Sequence, residues 1–160
     1  VPLKRSVYAG LVEARQLAAN PDAAALDEIW RLADGWDSVD IWAVGALAAA
    51  EMGDMAAHER FLTAAVEHSQ VVGQEPTRLL AVALLHDAMR REDDAALRHL
   101  LNTWIPTPDM TLVPQLSRLL VSQTELELAQ ATAAAAQMLD DPALLARAQR
   151  YEEWTRGAFE

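Results

Sequence analysis

The side chains able to do chemistry are few and scattered. Four histidines (His58, His68, His86, His99) and five serines (Ser6, Ser38, Ser69, Ser117, Ser122) are the candidate bases, ligands and nucleophiles, and cysteine is absent. No two histidines stand four residues apart, so no single helix offers the paired-imidazole clip of a zinc site. Asp54 and His58 do have that spacing, but Asp54 opens a helix and reads as its cap, leaving His58 as a surface histidine. The Glu-x-x-His motif of di-iron bundles does not occur. Nor does a phosphate-cradling Gly loop, a strand-borne nucleophile elbow or a calcium-binding loop. The expectation is a chain that is not an enzyme and has no metal or cofactor. An unrecognised small helical enzyme, its site assembled from distant segments, is the weakest alternative. Trp30, Trp36 and Trp42 recur every six residues, but a break at Gly35 changes the helical phase between them. They read as three core or interface anchors rather than an aromatic cage.

The elements that must position these residues are helices. Of 160 residues, 32 are alanine, the best helix former, and runs alternating with strand period are missing. Apolar residues recur with helical spacing over roughly 3–19, 22–34, 38–52, 54–71, 75–91, 93–104, 110–138 and 141–157. Asn20-Pro21-Asp22, Gly35 to Ser38, Gly73 with Pro76, Pro106 with Pro108, and Asp140-Asp141-Pro142 punctuate them. Polar or acidic turns starting at Asn20, Gly53, Glu92 and Asp140 each lead into an Ala/Leu helix, at spacings of 33, 39 and 48 residues. That recurrence marks helix pairs, each covering the apolar face of the next. The expected organisation is a single helical domain over 1–160, built from about four helix-turn-helix units at 3–34, 38–71, 75–104 and 110–157.

Charge narrows the partners. The chain carries 24 acids against 13 bases, a net −11. Nucleic acid is excluded as the main partner, because phosphate binding needs clustered Lys and Arg. The longest uncharged apolar run, Ile41 to Ala50, is ten residues, half of what a membrane span requires. Glu13 and Arg15 interrupt any leader-like segment, so a cytoplasmic location is expected. Twelve of the thirteen bases are Arg, a bias that with the Ala and Leu load suits a GC-rich bacterial genome. Between Arg31 and Arg60 stand six acids (Asp34, Asp37, Asp40, Glu51, Asp54, Glu59) and neither Lys nor Arg. By contrast, Arg78, Arg90, Arg91 and Arg98 interleave with Asp87, Glu92, Asp93 and Asp94, a pattern of surface ion pairs.

Asp40 to His68 (DIWAVGALAAAEMGDMAAHERFLTAAVEH) resembles a tetratricopeptide (TPR) repeat. Trp42 stands early in the first helix, and Gly45, Ala46 and Ala49 are the small residues that admit a second helix. Gly53 and Asp54 make the turn, and Ala57, Phe61 and Ala64 follow along the second helix. With Gly53-Asp54 aligned, Gly45, Ala57 and Phe61 stand one position ahead of the family register, and the other units share only turns and helix lengths. The resemblance implies an all-α fold of antiparallel helix pairs stacked as a short right-handed solenoid; a compact helical bundle is the alternative. It also implies a concave groove formed by the first helix of each pair. Carried onto this chain, that groove contains Asp40, Ala43, Leu47, Ala50 and Glu51, then Val82, His86, Met89 and Arg90, then Glu127, Gln130 and Gln137. Such a surface suits a protein or peptide partner with basic and apolar character, as in an adaptor or the sensing part of a regulator. A homodimer using the same exposed face is the other reading.

Overall fold

The turns between helices repeat one piece of backbone chemistry. In the computed structural model, which describes residues 7–71, 77–105 and 123–157, eight α-helices and no strand occur among the described residues. They are α1 (Val7–Ala19), α2 (Ala23–Trp36), α3 (Val39–Met52), α4 (Met55–Val71), α5 (Arg78–Arg90), α6 (Asp94–Trp104), α7 (Gln123–Met138) and α8 (Pro142–Gly157). The expected helix starts before residue 7 and over 110–122 lie outside the described residues.

At four turns a left-handed residue is followed at once by the N-cap of the next helix. The left-handed residues are Asp37 (φ 58), Gly53 (φ 76), Glu92 (φ 53) and Asp140 (φ 54). Their successors Ser38, Asp54, Asp93 and Asp141 accept the backbone N–H three residues on, from Ile41 (3.4 Å), Ala57 (3.1 Å), Ala96 (3.1 Å) and Leu144 (3.2 Å). A left-handed residue ties off the carbonyls of the outgoing helix, as Gly53 N–H does on Ala49 and Ala50. The capping oxygen then satisfies an orphan donor of the incoming one. Two residues thus reverse the chain with few backbone groups unpaired.

The described helices gather into two compact units, Val1–Ala83 and Leu84–Glu160. In the first, α3 packs on α1, α2 and α4. Its residues Ile41 to Ala46, Ala48 and Ala49 are all buried, the pattern of a helix surrounded on most sides. The tightest contact is with α4. A Cβ built on Gly45 would lie 2.2 Å from Phe61 Cδ1, so the missing side chain is the space the ring occupies. Phe61 is 1% exposed. Its ring also faces Trp30 (centroids 5.1 Å, edge-on) and Trp42 (6.2 Å), while Trp30 and Trp42 meet edge-on at 4.5 Å. A second notch holds α1 against α2: a Cβ on Gly10 would come within 2.8 Å of the Trp36 ring.

In the second unit α7 packs on α8 and on α6. Tyr151, 5% exposed, donates its hydroxyl to Glu125 Oε1 at 3.1 Å, linking α8 to α7. Thr132 and Thr155 are fully buried and return their hydroxyls to the carbonyls of Ala129 and Tyr151 in their own helices, which removes the cost of burying them. Arg98 reaches Asp141 at 3.1 Å, tying α6 to the α7–α8 turn.

Two predictions follow from these contacts. Helix propensity alone favours Ala over Gly by about 1 kcal/mol, yet Gly45→Ala forces the Phe61 ring to move, at a cost of about 1–3 kcal/mol for overpacking. The urea midpoint of Gly45→Ala should therefore fall, and Phe61→Leu in the same chain should lessen that loss relative to Phe61→Leu alone. A midpoint that rises would mean propensity outweighs packing there. The second concerns pH. The Leu144 N–H and the Arg98 guanidinium hold the Asp141 carboxyl below its ordinary value. Its contribution is thus present above the ordinary aspartate range and is lost as pH falls through the lowered folded value. Asp141→Asn should lower the thermal midpoint near neutral pH, and the difference from the parent should vanish in strong acid.

Candidate functional site

Most of α3 is enclosed, and part of what remains open on it borders a cleft. This cleft, of about 220 Å³, lies within the first unit between the C-terminal half of α1, the second half of α3 and the start of α5. Val44, Ala48 and Leu79 are its buried apolar lining, and Leu47 and Ala18 are half-buried beside them. Arg15, half-buried on α1, and Glu51, exposed on α3, supply its charges. The space exists because alanines on α1 and α3 put small side chains where larger ones would close the gap. The arrangement can receive an apolar side chain flanked by charge.

The expected groove residues fall into distinct places. Leu47 and Glu51 line the cleft, and Ala50 is half-buried nearby on α3. Ala43 does not face a partner: it is 0% exposed and belongs to the packing of α3 against its neighbours. The reason is that α3 is covered on three sides, so its open sector is narrower than a solenoid register allows. Val82 is likewise buried. Asp40 is half-buried in the first turn of α3, and its Oδ1 is a buried oxygen with no hydrogen-bond partner among the described residues. His86 and Arg90 belong to the part of α5 in the second unit, where both are exposed and Arg90 pairs with Asp87 at 2.7 Å. Of the residues on α7, Gln130 and Gln137 are exposed and Glu127 is half-buried.

The residues read as repeat packing lie on the α3–α4 side. Trp42, Ala46, Ala49, Ala57 and Phe61 are all buried, as is Gly45, and Gly53 stands in the turn. His58 corrects the surface reading. It is 1% exposed, with Nδ1 2.7 Å from the Ala46 carbonyl, so it fastens α4 to α3. The signal was its phase: 58, 61 and 65 share one helical face, and both Phe61 and Ala65 are buried. His68 instead sits 3.0 Å from Asp37 Oδ1, bridging α4 to the α2–α3 turn. Among the described residues no cluster of three potential metal ligands occurs. No helix of the described residues is long and apolar enough to cross a membrane.

Arg91 reaches both Asp87 (2.8 Å) and Asp93 (3.2 Å), and these partners raise its already high pKa. Such exposed pairs fix local side chains and add little stability. Trp30 is partly open at the surface with the Arg60 guanidinium 5.7 Å from its ring centroid. Comparison with protein-family models, curated proteins and solved structures finds no match to this chain.

Packing and groove positions on α3 separate by substitution. Ala43→Glu buries a carboxylate with no room and no partner, and should lower stability by roughly 3 kcal/mol or more. Leu47→Glu, at a half-open site, should cost about 1 kcal/mol. Urea unfolding of both variants checks this, and equal losses would mean that Leu47 is core.

Proposed function

We propose that this chain is a non-catalytic, TPR-like helical adaptor or regulatory domain that binds a protein segment in the cleft beside α3. The observation that carries the reading is the cleft itself: the first helices of successive pairs, α1, α3 and α5, contribute its walls. Three further features support helix pairing of the repeat kind. They are the Gly53-Asp54 turn, the Gly45 notch filled by Phe61, and the left-handed-then-cap turns at Gly53, Glu92 and Asp140. Contacts of α1 with both α2 and α3, and of α3 with α4, are the neighbour pattern of stacked pairs.

The chemistry of the partner follows from the lining. An apolar floor accepts a Leu-, Ile- or Met-sized anchor, and the base-free acidic run on and around α3 favours a segment that also carries positive charge. The domain would then act by holding a partner in place or by responding to its arrival. Selection of random displayed peptides against the folded chain tests this. Binders should be displaced from Leu47→Glu and from Ala48→Leu, the first adding charge to the wall and the second filling the cleft. Binders insensitive to both variants would place binding elsewhere, and a monomer-to-dimer change in light scattering with the same sensitivity would favour the homodimer.

A further inference from the structure

Glu51 stands where its own helix gives it no support. It lies in the last turn of α3, just before the final residue Met52, and the C-cap that follows is Gly53. The carbonyl end of a helix carries partial negative charge, which favours a base there and disfavours a carboxylate. No base stands in that turn to offset it. Glu51 also makes no hydrogen bond or ion pair among the described residues. Asp54, Asp93 and Asp141 cap helix starts, and Glu51 has no such local role. A position that breaks a local rule without local compensation is where function is to be sought.

Its surroundings supply a second, independent observation. Val44, Leu47, Ala48 and Glu51 stand at i, i+3, i+4 and i+7 on one face of α3, and all four line the cleft. The helix rise puts Glu51 about 6 Å beyond Leu47 along the axis, and the Cβ bonds of a helix tilt toward its start, back toward the apolar lining. Glu51 is exposed, whereas Val44 and Ala48 are buried. A partner entering from solvent therefore meets the carboxylate at the rim and the apolar floor behind it. Arg15, the other charge of the cleft, is half-buried on α1 and forms no ion pair with Glu51.

Resting on the adaptor reading above, we infer that Glu51 is the residue of the cleft that selects a lysine or arginine on the bound segment. The segment sets a Leu-, Ile- or Met-sized side chain on the floor, with its basic residue one helical turn or two extended residues away, a reach of about 5–7 Å. That reach matches the step from Leu47 to Glu51. The incoming ammonium or guanidinium gives Glu51 the counter-charge that α3 withholds, and it also offsets the negative end of the helix. Arg15 disfavours a cation on its own side of the cleft, so the base lies on the Glu51 side of the anchor. At an exposed rim such a pair governs choice of partner more than affinity.

Peptide selection with the charge reversed tests the assignment. Random displayed peptides are selected on the whole chain and on Glu51→Lys, which suits that helix end and whose folding circular dichroism confirms. Peptides taken by the parent should carry Lys or Arg beside the apolar anchor, and those taken by Glu51→Lys should carry Asp or Glu there. The best parent binder is then made with its base replaced by glutamine. Both forms are titrated by calorimetry against the parent, Glu51→Gln and Glu67→Gln, the last removing an exposed acid on α4 that does not line the cleft. The replacement should weaken binding to the parent and to Glu67→Gln about threefold to fivefold, and should leave binding to Glu51→Gln unchanged. In about 1 M salt the difference should disappear. An equal loss in the parent and in Glu51→Gln overturns the assignment, as does an undiminished basic preference among peptides selected on Glu51→Lys. Failure to select any binder of the parent, or binders insensitive to both Leu47→Glu and Ala48→Leu, instead overturns the adaptor reading itself.

Discussion

The first unit depends on one absence of matter: the hydrogen in place of a side chain at Gly45. Phe61 fills that space, and the backbones of α3 and α4 approach closely enough for His58 to reach the Ala46 carbonyl. With the ring seated there, Trp30 meets both it and Trp42 edge-on, and Trp42 lies tilted against it. Burying an aromatic side chain of this size removes apolar surface worth on the order of 2–3 kcal/mol, and the edge-on geometry adds to it. Moving the ring would uncouple α4 from α3 and α2 at once.

That packing also decides where the molecule is open. Because α3 is covered by α1, α2 and α4, its residues are buried around most of the circumference. Of the few α3 positions that keep access to solvent, Leu47 and Glu51 border the cleft. The proposed binding face is thus a by-product of dense packing elsewhere on the same helix. A helix with a wider exposed face would offer more surface but less shape.

The turns show how an alanine-rich chain avoids becoming a few very long helices. Alanine favours helix at nearly every position, so termination has to be encoded strongly. Among the described residues the chain does so four times with a left-handed residue followed by a capping oxygen. Only Gly53 among the four left-handed residues is glycine; Asp37, Glu92 and Asp140 adopt the same backbone with side chains attached. Much of the acidic surplus therefore has a local structural role. Acids at helix starts accept backbone N–H groups and face the positive end of the helix dipole. Others pair locally, as Asp87 does with Arg90 and Arg91.

Local rules made the helices legible, because a helix and its caps are decided within a few residues. Apolar period, Pro and Gly breaks, and capping acids gave starts and ends close to those observed, whereas the seating of Phe61 over Gly45 follows only from how α3 and α4 meet. The burial of His58 could have been read from its phase with Phe61 and Ala65, since a helical face is a property of spacing. Other outcomes depended on which faces meet. Ala43 and Leu47 stand four residues apart and share a broad face of α3, yet one is enclosed and the other borders a cleft, because α1, α2 and α4 cover unequal arcs of the helix. Arg98 finds Asp141, 43 residues away, although nearer acids were available in the chain. By itself the sequence determined that the protein is helical, where its helices stop and that its charge is acidic, all consequences of short-range backbone and side-chain preference. Tertiary structure alone decided which side chains are sealed in, which carboxylate lacks a partner and where a cleft remains, because those follow from the mutual exclusion of volume among distant segments.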